Sequence, residues 1–474
     1  MMYIKQLYTG CLAEAAYYIE SNGEAAIIDP LRETTPYLEL AQKRGTSIKY
    51  VFETHFHADF VSGHLDLAKA TGATVVFGPT AQPHYSAYVA EDDELFQVGE
   101  VQIKVLHTPG HTMESSCFLL IDSKGDNHAV FTGDTLFNGD VGRPDLAVKP
   151  ALSAEDLAGL LYDSIQDRLV PLADEVILYP GHGAGSQCGK SMSDETFSTM
   201  GAQKNFNYAL QINEKGKFVE AVLDGQEAPP AYFPANARIN KMGYENIDTI
   251  VKRNSRPLSV ASFQRAADEG AVILDTRHPN VFAQEFITNS LNIGLNGQYA
   301  VWVGTLLKID QPLVLVTEPG EEQEAVLRLA RVGFENVKGY LKGGVIAWEQ
   351  AGHSLEKVDS VEANEVAQLL EQGYQLLDVR RNTETETERV DGALNIPLKD
   401  LSNQLADLAK NQPYAIHCAG GYRSMIAASI LKQHGITNFK NILGGFSAMK
   451  EVDALPLVAG KCATQLRQER LATL

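Results

Sequence analysis

No stretch of the sequence is apolar enough to cross a bilayer, because no window approaches the ~18–20 uncharged apolar residues that a membrane helix needs. The opening residues, MMYIKQLYTGCLAEAAYYIE, lack a basic segment followed by a pure apolar run, so no secretory signal is expected. Cysteine is scarce. The five present (Cys11, Cys117, Cys188, Cys418 and Cys462) are odd in number and widely scattered. That excludes a disulfide framework and points to a cytoplasmic protein with thiols available for chemistry. Positive charge is short as well: 40 Lys+Arg against 60 Asp+Glu leave a net charge of −20. Neither nucleic acid nor an anionic membrane would find a basic surface to meet. What remains is an ordinary globular composition, 44% hydrophobic and 21% charged, in a chain of 474 residues that exceeds a single core.

The first half alternates short apolar β-rich runs with helical stretches. EAAIIDP (24–30), IKYVFETH (48–55), ATVVFGP (73–79), VQIKVLHTPGH (101–111), HAVFTGD (128–134) and EVILYPGH (175–182) read as strands. Four of them finish on a potential metal ligand or its neighbour: His55, His111, Asp134 and His182. Side chains at the same ends of neighbouring strands converge on one sheet edge, where loops can hold a metal. Around EAPPAYFPANARINKMG (227–243) the periodicity fades and prolines accumulate, which sets a domain boundary near residue 250.

The second half is an internal duplication. VILDTR (272–277) answers QLLDVR (375–380), SLNIGL (290–295) answers ALNIPL (393–398), and LKGGVIAW (341–348) answers ILGGFSAM (442–449). Asp275 to Asn292 and Asp378 to Asn395 are both 17 residues apart. Thr317 lies 26 residues before Gly343, as Cys418 lies 26 before Gly444, so only the second copy has a thiol at its turn. The copies are expected at 257–352 and 358–456, with 457–474 as a tail.

In AIHCAGGYRSMIAASILKQHG (415–435) a strand leads into a loop from Cys418 to Arg423 and then a helix, with Ile426, Ile430 and Leu431 on its apolar face. A cysteine on a glycine-bearing loop before a helix N-terminus faces backbone N–H groups and the positive end of the dipole. Such a setting favours an anionic sulfur, including a persulfide, and Arg423 adds fixed charge. Cys418 is therefore read as reactive, with Ala419, Gly420, Gly421 and Tyr422 as the cradle. The first copy has TEPGEE (317–322) there, and Glu318, Glu321 and Glu322 would repel a bound anion.

These motifs resemble rhodanese domains: the LLDVR strand, the GALNIPL segment and the C-A-G-G-Y-R loop. The six-residue loop matches the sulfur-transferring form of that family. The first half is similar to persulfide dioxygenases of the metallo-β-lactamase superfamily, through AIIDPLRET, THFHADFVSG, TPGHT, FTGDTLF, GRPDL, YPGH and PANAR in that order. One departure stands out. His55, His57 and Asp59 keep the H-x-H-x-D spacing, but Phe60 replaces the histidine that usually follows. A dinuclear hydrolase would need that histidine with Asp59 and His182 for its second metal, Asp134 bridging.

The resemblance implies an α/β multi-domain chain: a metallo-β-lactamase αββα sandwich (1–250), then an inactive and an active rhodanese-like domain. It implies one Fe(II) per chain on His55, His111 and Asp134, with His57 behind them and Arg143 near a thiol-persulfide pocket. Two imidazoles and a carboxylate are the ligand set of non-haem iron oxygenases; Zn(II), which prefers four tetrahedral ligands, is the alternative. Asp59 and His57 could rebuild a zinc site, and His64 could swing in. Low-molecular-weight persulfides (glutathione, coenzyme A or another acidic thiol) would be oxidised by O2 to sulfite. Cys418 would pass sulfur to sulfite to give thiosulfate, and Cys188 would take part in sulfur handling. Such fusions self-associate, so a homo-oligomer is expected. Competing readings are a zinc thioester hydrolase resembling glyoxalase II, and a non-catalytic persulfide carrier or sensor.

Overall fold

The structure is a computed structural model that describes residues 2–190, 192–409 and 411–460; Cys462 and most of the expected tail lie outside the described residues. One compact unit takes the chain through Ile250 together with Leu329–Gly333, and a second takes Val251–Arg328 and the chain from Phe334 onward. Among the described residues no helix is long and apolar enough to cross a membrane.

The first unit is built on two six-stranded sheets. In one, Met2–Thr9, Glu14–Ser21 and Glu24–Ile28 run antiparallel, and Ser47–Glu53, Thr74–Phe77 and Tyr88–Val89 continue in parallel. The other has the order Ser198–Thr199, Ile177–Pro180, Asn127–Gly133, Ser116–Ile121, Val101–His107, Leu95–Val98. Alternation along these strands decides the layers. Tyr17, Ile19, Ile28 and Phe52 of the first sheet meet Ile103, Phe118 and Phe131 of the second in one buried core. Residues one step out of register (Ala16, Tyr18, Ile27 and Val51) turn the other way, with Tyr37 and Ala41 of the helix Thr35–Arg44 and Leu67 of the helix His64–Thr71. Helices outside and sheets inside give an αββα sandwich. All six strands expected from sequence are present. The runs at Met2–Thr9, Glu14–Ser21, Leu95–Val98 and Ser116–Ile121 are further strands that the apolar pattern did not single out.

The second unit holds two sheets of the same order, each with five strands. Val272–Asp275 lies between Leu313–Val316 and Leu291–Asn292 in the first, and Gln375–Asp378 between Tyr414–His417 and Leu394–Asn395 in the second. Equivalent Asn292 and Asn395 side chains both donate back across the turn, to the carbonyls of Asp275 and Arg277 and of Asp378 and Arg380. The duplicated motifs are thus the same tertiary clasp made twice.

Phe118 is fully buried between the two sheets of the first unit and packs on Phe52 with ring centroids 4.9 Å apart. Phe118→Ala should lower the stability of that unit by about 3–5 kcal/mol, seen as an earlier urea transition; a loss below about 1 kcal/mol would contradict this packing.

Candidate metal centre and cysteine loop

Four strand ends deliver the first cluster. Ser47–Glu53 runs into His55, Val101–His107 into the turn with His111, Asn127–Gly133 into Asp134 and Ile177–Pro180 into His182. His111 Nε2 lies 3.5 Å and His55 Nε2 3.9 Å from Asp134 Oδ2. All three atoms are buried and lack a hydrogen-bond partner. Such convergence of orphaned donors is costly without an ion to satisfy them. The opposite edges of the rings are fully engaged. His111 Nδ1 is 2.8 Å from the carbonyl oxygen of Arg143, which accepts from it and leaves the lone pair on Nε2. Thr54 Oγ1 donates to Asp29 Oδ2 at 2.8 Å, so its lone pair faces His55 Nδ1 at 2.9 Å and fixes the same tautomer. Burial, reinforced by His57, pushes the His55 imidazole well below its ordinary range, so it stays neutral and able to ligate. Gly142 lets the backbone close on this centre: a Cβ there would come within 1.8 Å of the Asp134 carbonyl oxygen and 3.1 Å of His111 Nδ1. His55, His111 and Asp134 fit a metal ion; iron and zinc are not distinguished by these donors.

The neighbouring position is differently arranged. His182 donates through both ring nitrogens, Nδ1 to Asp134 Oδ1 and Nε2 to Asp59 Oδ2, each at 2.8 Å. Burial works against its charge, but the two carboxylates win and hold the imidazolium well above its ordinary range. Phe60 is fully buried, with its ring 4.3 Å from that of His57. His57 turns away from the triad: Nε2 lies 3.1 Å from Asp29 and 3.5 Å from Glu53. Burial lowers its pKa, yet these acids overcome that and raise it to about 9. His64 is buried 3.4 Å from Glu53 and surrounded by the rings of Phe77, Tyr85 and Tyr244, so it packs and does not swing into the centre. Cys188 groups with Asp59 and His182, with one ligand atom of each within 4.8 Å of the others. Burial, then Asp59 and Asp134, push its thiol well up, which keeps it protonated.

The second cluster is the loop after Tyr414–His417. Cys418 Sγ accepts from the N–H of Gly421 at 3.1 Å. Gly421 sits at φ +103° and starts the helix Tyr422–Gln433, in which Ile426, Ile430 and Leu431 are buried. The N–H groups of Phe446 and Ser447 donate to the carbonyls of Cys418 and Ala419 and brace the loop from below. Gly420 is exposed, so the turn opens to solvent. Arg423 makes a two-pronged contact with Glu384, 2.6 and 2.8 Å, which fixes the direction of its guanidinium. In the first copy Glu321 has its pKa raised by burial and by Glu318, Glu324 and Glu322, a crowd of acids that disfavours an anion.

Family models match this layout. A metallo-beta-lactamase superfamily model covers residues 9–182, and a rhodanese-like domain model covers 259–351 and again 362–451. A probable hydroxyacylglutathione hydrolase of Schizosaccharomyces pombe is 30% identical over 233 residues, 44% of this chain and 86% of its own length. The chain belongs to the metallo-beta-lactamase superfamily. A second probable hydroxyacylglutathione hydrolase of that yeast is 33% identical over 177 residues, 37% of this chain and 64% of its own. Among solved structures, a metallo-beta-lactamase from Staphylococcus aureus matches with TM-score 0.63 and 30% identity, covering 72% of this chain and 98% of that one.

Within the metallo-beta-lactamase half, Arg143, expected near a thiol-persulfide pocket, is tied to its own neighbours. Its three side-chain nitrogens engage Asp145 (2.6 and 2.7 Å) and the carbonyls of Gln187 and Glu227, and it is buried. What it supplies is its backbone oxygen to His111. Sequence reading also missed Asn240, which donates to the carbonyls of His57 and Phe60 and accepts from the N–H of Ser62, clasping the whole histidine loop. It missed Thr54 and Asp29 as well, although Asp29 ends its strand in the same way as the ligands do. Of the other thiols, Cys117 is buried and pushed up to about 11 by burial.

Thr54→Val removes the hydroxyl that orients His55 and should weaken metal binding about 10–100-fold, measured by competition with a chromophoric chelator. His64→Phe should leave it unchanged. Equal losses in both would show that the backing bond is not what sets the site.

Proposed function

We propose that the chain oxidises the sulfane sulfur of a low-molecular-weight persulfide to sulfite with O2, and transfers sulfur through Cys418 to give thiosulfate. The observation that carries this reading is the three-donor face of His55, His111 and Asp134, a group to itself among the described residues, in one chain with the thiol loop at Cys418. A ferrous ion held there supplies the one-electron chemistry that lets ground-state O2 react with a sulfur anion.

The protein's own part is to orient and to hold charge. Thr54 and the Arg143 carbonyl keep both imidazoles neutral and aimed through Nε2. As an imidazolium bonded to both Asp59 and Asp134, His182 offsets one of their two negative charges. At the second site, sulfur carried on Cys418 meets the Gly421 N–H, and Arg423, fixed by Glu384, offsets the charge of incoming sulfite. The carrier persulfide on Cys418 gives its outer sulfur to sulfite, and the thiolate returns. Chain fusion raises the local concentration of one half's product at the other, to about millimolar for a short tether.

A zinc-dependent hydrolase of thioesters is the second reading, favoured by the names of the relatives above. Its dinuclear form needs a ligand where Phe60 stands, and needs the nitrogens that His182 gives to Asp59 and Asp134. The third, a persulfide carrier without turnover, leaves the triad without a purpose.

Metal analysis with an oxygen electrode separates them. Iron and O2 uptake on glutathione persulfide or coenzyme A persulfide are expected; zinc with thioester hydrolysis and no O2 uptake would replace the proposal. Cys418→Ser should abolish thiosulfate formation and leave persulfide-dependent O2 uptake intact, and loss of both would contradict this division of labour.

A further inference from the structure

The sulfur-transfer loop is not held by its own domain alone. Tyr422, the first residue of its helix, donates its hydroxyl to the carbonyl of Gly294 at 2.7 Å, and Gly294 belongs to the copy without a thiol. The tyrosine ring rests directly on Gly297 of that copy: a Cβ at 297 would come 2.5, 2.6 and 2.9 Å from three of its carbons. The receiving segment is braced from behind. Arg328, buried on the helix that follows the TEPGEE loop, donates to the carbonyls of Leu295 and Gly297 at 2.5 and 2.9 Å. Two more bonds register the same pair of elements, Asn292 N–H to Ser429 Oγ at 3.1 Å and Gln433 to the Asn289 carbonyl at 2.8 Å.

We infer that the thiol-free copy positions the cysteine loop of the other by gripping Tyr422, making Tyr422, Gly297 and Arg328 positioning residues for sulfur transfer. The path is short. Arg328 fixes the 294–297 segment, that segment fixes Tyr422, and Tyr422 adjoins Gly421, whose N–H faces Cys418 Sγ. A donor stabilises charge in proportion to how well it is aimed, and a helix first turn left unanchored frays. Arg423 follows Tyr422 directly, so one grip sets both the backbone donor and the guanidinium. A copy with acids in place of a thiol thereby contributes to the reaction without touching sulfur. The inference rests on reading Cys418 as the sulfur carrier.

The test uses the full chain. Tyr422→Phe removes the grip's hydroxyl, and Gly297→Ala intrudes on the ring from the other copy. Each should reduce kcat for sulfur transfer to sulfite about tenfold, with KM within about twofold. Each should also move the pH midpoint of Cys418 alkylation by iodoacetamide upwards, while Tyr422→Phe keeps the wild-type melting temperature. Arg328→Lys retains the charge but offers no fork for two carbonyls, and should fall between. Unshifted alkylation profiles with kcat within twofold would overturn the inference. So would an activity loss that follows a lowered melting temperature while the alkylation midpoint stays put. Should Gly297→Ala fail to fold, Tyr422→Phe decides alone. If Cys418 in the wild-type chain takes up no sulfur, the carrier reading fails, yet the alkylation midpoints still test the grip.

Discussion

His182 holds Asp134 with one ring nitrogen and Asp59 with the other, and the rest of the metal centre depends on that sandwich. It draws one oxygen of Asp134 away and leaves the other facing two imidazole nitrogens. Each of those rings is tied from behind, one by Thr54 and one by a backbone carbonyl. The result is a small face of three donors, prepared by a larger set of residues behind them. Histidine tautomers, buried charge and backbone closure all agree on it, which is how such sites keep their geometry.

The same economy governs the second unit. A duplicated fold supplies two loops, and of these two only the second carries a thiol. The first has acids where a sulfur anion would sit, and the second has a thiol, an aimed N–H and a clamped arginine. Tyr422 of the second copy bonds to Gly294 of the first, so the thiol-free copy touches the helix that follows the cysteine loop. The proposed function gives one chain a reason to hold both centres, because sulfite is the product of one reaction and the acceptor of the other.

Much of this was legible in the sequence because it is local. Strand ends carry ligands, and apolar runs of four to seven residues bounded by Gly, Pro or Asp become strands. The repeat fixed its own register through Asp–Asn pairs that prove to be a backbone clasp. What escaped was non-local. Asp59 and His182 are 123 positions apart, and nothing in either motif announces that they pair. Asn240 closes on the histidine loop from 180 residues away. Arg143 is the local counterpart: its partner Asp145 stands two residues on, in GRPD, so the signal for a paired arginine lies within one motif. Strands such as Glu14–Ser21 were overlooked because they are buried on both faces and show no alternation.

The central claim is a single ferrous ion on His55, His111 and Asp134. Anomalous diffraction at the iron and zinc edges, from crystals grown anaerobically without added metal, tests it most directly. The account predicts one iron peak against those three side chains, with His182 still bonded to Asp59. Two zinc peaks, the second seated between Asp59 and His182, would contradict it.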